Sequence, residues 1–316
     1  LNYPKNKIEI LVINDGSKDN TAKVVRDFIK NSNYNIRLIN QANKGKGAAM
    51  NNALRQATGE LYISLDADSY VRPDALNTIV PYFDNPEVAS VLPVIKVRKS
   101  NSIMRKLQYV EYLINFFFKK LMAKLDCIHV TPGPFSVYRA NTLKDVGGFD
   151  EDNLTEDLEM AMRLQKNNHK IVQILGTEVT TDAPINFKAF YKQRNRWYKG
   201  ALLNLWDYRK LIFNKKYGEF GMFHLPAVYS VALIAIIYAT YIFYTYAVKP
   251  ISNFLYDMSF INFNLPFLVS EATDKFSLLD LNYMTLFYGL SLLALSLVII
   301  KFSFRYTNER LREALF

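Results

Sequence analysis

LYISLDADSYVRPD, from Leu61 to Asp74, is the stretch on which the reading of this chain turns. An apolar strand, Leu61 to Leu65, stops at Asp66, and a second carboxylate, Asp68, follows two residues later. In an open α/β sheet, ligands bind beyond the carboxyl ends of the strands, so two acids at such an end are placed to hold a divalent cation. Mg2+ or Mn2+ is commonly held by one or two carboxylates, with phosphate oxygens and waters completing the shell. A metal–diphosphate corner is one reading. A turn is the other, because Asp and Ser bond nearby backbone, and Asp-Ala-Asp taken alone favours it.

The sequence on either side repeats the strand-to-turn pattern. Ile8 to Ile13 is apolar and β-branched, as a buried parallel strand should be, and it ends in the turn-forming cluster Asn14-Asp15-Gly16-Ser17. Asp19 or Asn20 can cap a helix to Lys30 whose apolar face is Val24, Val25, Phe28 and Ile29. A second strand, Ile36 to Ile39, precedes Asn43-Lys44-Gly45-Lys46-Gly47, which opens a helix from Ala48 to Ala57. Three strands and two helices within this span make a βαβαβ half-sheet. A helix from Pro73 to Phe83, with Pro73 in its first turn, and a strand from Val88 to Val94 follow.

Farther on, Ile103 to Leu125 mixes Arg and Lys with aromatic residues. This suits an interfacial helix or an amphipathic core helix. A strand at Phe135 to Tyr138, a helix from Thr155 to Lys166 with Thr155 as its cap, and a helix from Phe187 to Trp206 complete the polar part of the chain.

Half of the 316 residues are hydrophobic and 14% are aromatic, and they concentrate in two uncharged runs, Leu225 to Val248 and Leu281 to Ile300. Each has the roughly 20 residues needed to cross a bilayer core. Eight basic residues lie between Lys192 and Lys216 and four after Ile300, against Lys249 and Lys275 in the connector. The positive-inside rule therefore puts the head and the C-terminus in the cytoplasm of a multi-pass cell-membrane protein. The domain plan is 1–200 catalytic, 201–224 interfacial, 225–248 and 281–300 transmembrane, 249–280 an extracytoplasmic connector, and 301–316 a cytoplasmic tail. A net charge of +10 suits anionic lipid headgroups or phosphorylated substrates. No zinc-ligand spacing or nucleic-acid-binding signature accompanies it, so nucleic acid is not an expected partner. The single cysteine, Cys127, excludes an intrachain disulfide; Cys127 reads as packing and His129 as surface polarity.

Six motifs stand in order along the chain: INDGSKDNT (Ile13 to Thr21), NKGKGAAMNNAL (Asn43 to Leu54), DAD (Asp66 to Asp68), TPGPFSVYR (Thr131 to Arg139), TEDLEMAMRL (Thr155 to Leu164) and QRNRWYKG (Gln193 to Gly200). In this ordered set the chain resembles the inverting glycosyltransferases of family 2, and among them the processive membrane synthases of poly-N-acetylglucosamine, hyaluronan, cellulose and chitin. The resemblance implies a GT-A, Rossmann-like α/β fold followed by interfacial helices and two transmembrane helices. Such enzymes begin with membrane helices and a first sheet strand. Neither precedes Leu1, so the sequence reads as N-terminally truncated.

The resemblance also implies roles. Asp15 would accept a hydrogen bond from the nucleotide base; as residue chemistry alone it is an Asp-Gly turn. Lys46 would sit near base or phosphate at a helix N-terminus, or else be a solvated lysine. Asp66 would contact the nucleoside or support the metal, and Asp68 would ligate Mg2+ or Mn2+. Asp157 would be the general base that takes the proton from the acceptor hydroxyl; the alternative is an acid favouring the helix dipole. Arg194 or Arg196 would neutralise diphosphate charge. Gln193 and Trp197, one helical turn apart, would bind the acceptor sugar, Trp197 by stacking. Gly133 would let backbone approach that sugar, or simply shape a turn.

The function implied is processive inverting transfer from a nucleotide-sugar donor, expected to be a UDP-sugar, to a growing polysaccharide. Membrane lipids and accessory secretion subunits are the further partners. Two alternatives stand beside it: addition of one sugar to a lipid acceptor, and a catalytically silent membrane scaffold that binds nucleotide or glycan. A dinucleotide-dependent dehydrogenase is disfavoured because no G-x-G-x-x-G follows the first strand.

Overall fold

The computed structural model describes residues 1–98, 102–260, 283–307 and 309. The second half of the connector and the end of the tail lie outside the described residues. Two compact units emerge, one made of Leu1–His224 with Ile300–Phe316 and the other of Leu225–Ile299.

The first unit opens with β1 (Glu9–Asp15), α1 (Thr21–Lys30), β2 (Asn35–Gln41), α2 (Lys46–Gln56) and β3 (Leu61–Leu65). β1 and β2 pair in parallel, with Asp15 opposite Gln41. The expected half-sheet is nevertheless divided, because β3 pairs with neither of them. It pairs antiparallel with β6 (Phe135–Arg139), Leu61 opposite Arg139 and Leu65 opposite Phe135. The larger sheet has the order β3-β6-β5-β7-β4, where β4 is Ser69–Val71, β5 is Val88–Val97 and β7 is Lys170–Thr181. β5 is buried along its whole length.

Side chains of a strand alternate between faces, and the core divides accordingly. On one face Leu92 packs with Ala53 and Leu54 of α2, Tyr62 of β3, and Met160, Ala161 and Leu164 of α6 (Glu156–Lys166). On the other, Val91 and Ile95 pack with Ala75, Leu76 and Ile79 of α3 (Ala75–Ile79). The carboxyl end of β3 and the amino ends of α2 and α6 thus meet at one rim.

Several expectations change. β1, read as a buried strand, is only half-buried, and on α1 Val24 and Phe28 are exposed while Val25 and Ile29 are partly covered. The helix expected from Pro73 starts at Ala75, because the Pro73 carbonyl accepts from Asn2 N and Asp74 occupies the cap. β4, β7 and a short α5 (Ala140–Asp145) were not anticipated.

α4 (Ile103–Ala123) buries Gln108, Tyr109, Leu113 and Phe116, while Leu107, Phe118 and Leu121 are exposed. α7 runs from Phe187 to Asp207. Tyr109 and Leu113 share a buried cluster with Val97, Ala183 and Phe304. The Lys96 ammonium pairs with both Glu178 and Glu309. Through these contacts the chain end around residue 304 closes onto the sheet.

The second unit holds α8 (Leu225–Phe243), a π-helical turn, α9 (Lys249–Phe260) and most of α10 (Tyr283–Tyr306). Two helical runs, Phe220–Phe260 and Tyr283–Tyr306, are long and apolar enough to cross a membrane. The first is helical well past Val248, where the connector was expected to begin.

Candidate active site

Asp66 ends β3 where the backbone leaves the sheet: its N–H donates to Pro134 O at 3.3 Å, and its carbonyl accepts from Ser69 N at 3.0 Å. Its carboxylate faces α2. Lys46, the first residue of α2, places Nζ 2.5 Å from Asp66 Oδ1 and 3.3 Å from Glu156 Oε1. Burial would lower the lysine's pKa, but Asp66 and Glu156, with help from Asp157, raise it above its ordinary value. Glu156 is buried; burial and the neighbouring Asp157 charge push its carboxyl up, and Lys46 pulls it back.

Asp157, the second residue of α6, is held from the TPGP loop. Its Oδ2 accepts from Gly133 N at 3.3 Å, and its carbonyl accepts from Thr131 Oγ1 at 2.7 Å. Gly133 is the meeting point of the site. A Cβ built there would lie 2.7 Å from Lys46 Nζ, 3.4 Å from Asp66 Oδ2 and 3.8 Å from Asp157 Oδ2. Any side chain would displace a lysine already held by two carboxylates. Glycine leaves the Lys46 ammonium room to sit where the two carboxylates hold it.

Asp15 is placed at the end of β1 but is occupied. Its Oδ1 accepts from Gln41 Nε2 and Lys44 N, and Oδ2 from Gly45 N, each at 2.9 Å. Burial works against the charge, yet these bonds hold its pKa below the ordinary value. The carboxylate thus shapes the loop that presents Lys46. Gly16 beside it has φ +73°, and a Cβ there would come within 2.8 Å of Asn43 N, so the same loop closes tightly on the β1 turn.

Asp68 is exposed, and its Oδ1 accepts only long bonds from Ser69 Oγ (3.3 Å) and Thr181 Oγ1 (3.4 Å). Among the described residues no group of three His, Cys, Asp or Glu side chains could hold a metal alone. A single accessible carboxylate beside a lysine-bound one fits Mg2+ or Mn2+ shared with phosphate oxygens and water. It does not fit a closed protein cage.

α7 separates the QRNRW residues into different surroundings. Arg194 is buried, donates to Glu111 Oε2 at 2.6 Å, and stacks 4.3 Å over Trp197 and 4.7 Å over Phe190. Its charge is matched here by Glu111 and the ring faces. Arg196 is exposed and donates to Leu154 O at 2.9 Å. Trp197 is partly exposed beneath the Arg194 guanidinium, and the Gln193 Oε1 atom is buried without a hydrogen-bond partner.

Five other residues were missed or given another role by sequence reasoning: Thr155, Asn204, His129, His224 and Lys119. Thr155 occupies the α6 cap position but makes no side-chain cap; its hydroxyl accepts from Asn204 Nδ2 at 3.0 Å instead. His129, read as surface polarity, pairs its Nδ1 with His224 Nε2 at 2.9 Å, and burial pushes its imidazole down to about 3. Burial likewise lowers the Lys119 amine of α4 to about 8, against the pull of Asp157. The signal for Lys119 lay in the basic residues threaded through an aromatic helix. Nothing local marked Asn204 or His224.

The model of "Glycosyl transferase family 2" matches residues 1–147. A poly-beta-1,6-N-acetyl-D-glucosamine synthase of Staphylococcus epidermidis is 30% identical over 302 residues, covering 90% of this chain and 73% of the relative. The enzyme of the same name from Staphylococcus aureus is 31% identical over 198 residues, covering 62% and 48%. A mannosyltransferase from Pyrobaculum calidifontis, solved with GDP-Man and Mn2+, superposes with a TM-score of 0.55 at 21% identity, covering 66% of this chain and 56% of the other. At that identity the likeness shows the fold, which is of the GT-A type.

Proposed function

The chain belongs to glycosyl transferase family 2, and on that premise we propose that it transfers sugar from a nucleotide-sugar donor, a UDP-sugar, to a growing polysaccharide at the membrane, with inversion and processively. The observation that carries the reading is the convergence at Gly133, where Lys46, Asp66 and Asp157 come within a few ångströms of one backbone position. A donor corner and a candidate base meet at one backbone position.

Asp157 takes the proton from the acceptor hydroxyl as that oxygen bonds to the anomeric carbon and the nucleoside diphosphate leaves from the opposite face. One displacement of this kind needs no covalent nucleophile. Lys46 sits at the amino end of α2, where backbone N–H groups also favour anions, and can turn from Asp66 to the diphosphate. Asp15 holds the loop that carries Lys46, and Asp66 lies against the nucleoside. A divalent cation held by Asp68, when bound, would neutralise diphosphate charge on the leaving group. Arg196 is an exposed α7 cation of the QRNRW motif available to phosphate. Gln193 and Trp197 bind the acceptor, with Arg194 fixing the Trp197 ring.

The basic segment between Lys192 and Lys216 and the two long apolar helices support a membrane location. The return of Phe304 and Glu309 to the catalytic unit supports a C-terminus on the same side as the head. The names of the staphylococcal relatives make UDP-N-acetylglucosamine the first donor to test.

Membranes carrying the full chain, given a panel of radiolabelled UDP- and GDP-sugars with Mn2+ or Mg2+, should yield long polymer from one UDP-sugar. A lipid bearing a single sugar would support the non-processive alternative. Absence of transfer from every donor would favour the silent scaffold.

A further inference from the structure

α7 meets the start of α6 through residues spaced four apart. Arg196 donates to Leu154 O at 2.9 Å, Gly200 lies against Thr155, Asn204 bonds Asn153 and Thr155, and Tyr208 OH donates to Glu159 Oε1 at 2.6 Å. Residues at this spacing form one line along a helix. The contact is close at its centre: a Cβ on Gly200 would sit 2.6 Å from Thr155 Cγ2 and closer still to Oγ1. Asn204 has no exposed surface. Its Nδ2 donates to Thr155 Oγ1 at 3.0 Å and Asn153 Oδ1 at 3.2 Å, and its Oδ1 accepts from Asn153 Nδ2 at 2.9 Å.

These contacts fall on the residues immediately before α6, and Asp157 is two residues beyond Thr155. The Thr155 hydroxyl, at the cap position, is spent on α7 and not on its own helix. Gln193 and Trp197 lie on the same side of α7 as Gly200 and Asn204, one to three turns earlier. The helix that carries the acceptor residues is therefore locked to the first turn of the helix that carries the base.

We propose that Gly200 and Asn204 are positioning residues that set the distance between the Asp157 carboxylate and an acceptor seated on Gln193 and Trp197. The proposal rests on the reading of Asp157 as general base. A base works only within hydrogen-bond reach of its proton, and misplacing reacting groups by about 1 Å can cost on the order of 100-fold in rate. A buried amide network together with a glycine contact tolerates little slippage. The first turn of α6 also carries Glu156, which pairs with Lys46, but neither Gly200 nor Asn204 is among the contacts of Lys46, Asp66 or Asp68, so donor binding should change far less than kcat.

The test uses the full chain with Asn204→Leu, Thr155→Val and Thr155→Ser, each with and without Asp157→Asn. Asn204→Leu and Thr155→Val should lower kcat by about 100-fold with donor KM and UDP affinity changed far less. Thr155→Ser, which keeps the hydroxyl, should stay near the parent. In the Asp157→Asn background, Asn204→Leu should cost nothing further, because its effect passes through the base. An equal loss in both backgrounds, or an unchanged kcat in a variant that binds UDP normally, would overturn the proposal. If Asn204→Leu does not fold, the isosteric Thr155→Val and its serine control carry the same comparison. Retention of transfer by Asp157→Asn alone would instead refute the base assignment.

Discussion

Lys46 Nζ stands 2.5 Å from Asp66 Oδ1, so the first residue of α2 closes directly onto the carboxyl end of β3. The same ammonium reaches Glu156 at 3.3 Å, which makes it the link between the donor corner and the base helix. Lys46 and Asp66 keep 40% and 30% of their side-chain surface exposed, but Glu156 keeps only 8%. Screening makes the Asp66 pair worth less than about 1 kcal/mol; the buried Glu156 is the group that needs the cation. Lys46→Met should therefore lower thermal stability modestly. It should weaken UDP binding about 10-fold, the loss of one charge-assisted hydrogen bond. Calorimetric titration with UDP measures this, and unchanged affinity would reduce Lys46 to a structural ion-pair partner.

Asp157 should behave differently from the donor corner. Asp157→Asn keeps the shape and one oxygen to accept from Gly133 N or Leu158 N but removes the proton acceptor, so transfer should fall by about 100- to 10,000-fold. UDP should still bind. A variant that lost nucleotide binding in step with activity would show that Asp157 serves the donor and not the acceptor.

Asp68 is the accessible carboxylate of the pair, whereas Asp66 is engaged by Lys46. If a cation bridges Asp68 and diphosphate, Mn2+ should tighten UDP binding to the parent chain and chelation should reverse the gain. Asp68→Asn should make UDP affinity indifferent to Mn2+. Continued Mn2+ dependence in that variant would place the ion elsewhere.

What was legible in the sequence followed from local pattern. The bounds of β3 come directly from the Leu61–Leu65 apolar run and its abrupt end, and the Arg- and Lys-rich helix expected from Phe187 to Trp206 matches α7 to within one residue. β4 was not legible because its three residues become a strand only by pairing with Val179 to Thr181, far along the chain. β7, Lys170–Thr181, follows α6 after only the short Asn167-Asn168-His169 turn, and its pairing with β5 is set by residues far along the chain. The division of the sheet between β1 and β3 was invisible for a similar reason, since strand partners are set by tertiary register. Within the site, residue types marked Asp66, Asp68 and Asp157. Their separation depends on how the TPGP loop crosses between α2 and α6. Asn204 and His224 became visible only through partners distant in the chain.

The His129–His224 contact predicts acid sensitivity. Folding keeps the His129 imidazole neutral down to about pH 3, whereas an unfolded histidine takes up a proton below about 6.5. Between those values the unfolded chain binds more protons, so stability falls as pH falls through the window and is unaffected above it. Melting temperature measured from pH 7.5 to 4 should decline more steeply for the parent than for His129→Asn. Parallel curves would mean that other groups control acid unfolding.

Arg194 offers a discriminating test of the QRNRW face. Its guanidinium lies between Glu111 at 2.6 Å and the Trp197 ring at 4.3 Å, an arrangement that needs a planar fork and a flat face together. Lysine cannot reproduce it. Arg194→Lys should therefore cost about 1 kcal/mol from the ring stacking, loosen Trp197 and raise the apparent KM for acceptor, with UDP affinity preserved. The chain has only two tryptophans, Trp197 and Trp206, so in a Trp206→Phe background the emission reports Trp197 alone. A red shift on Arg194→Lys is expected as the ring gains water. Weakened UDP binding with unshifted emission would return Arg194 to the diphosphate.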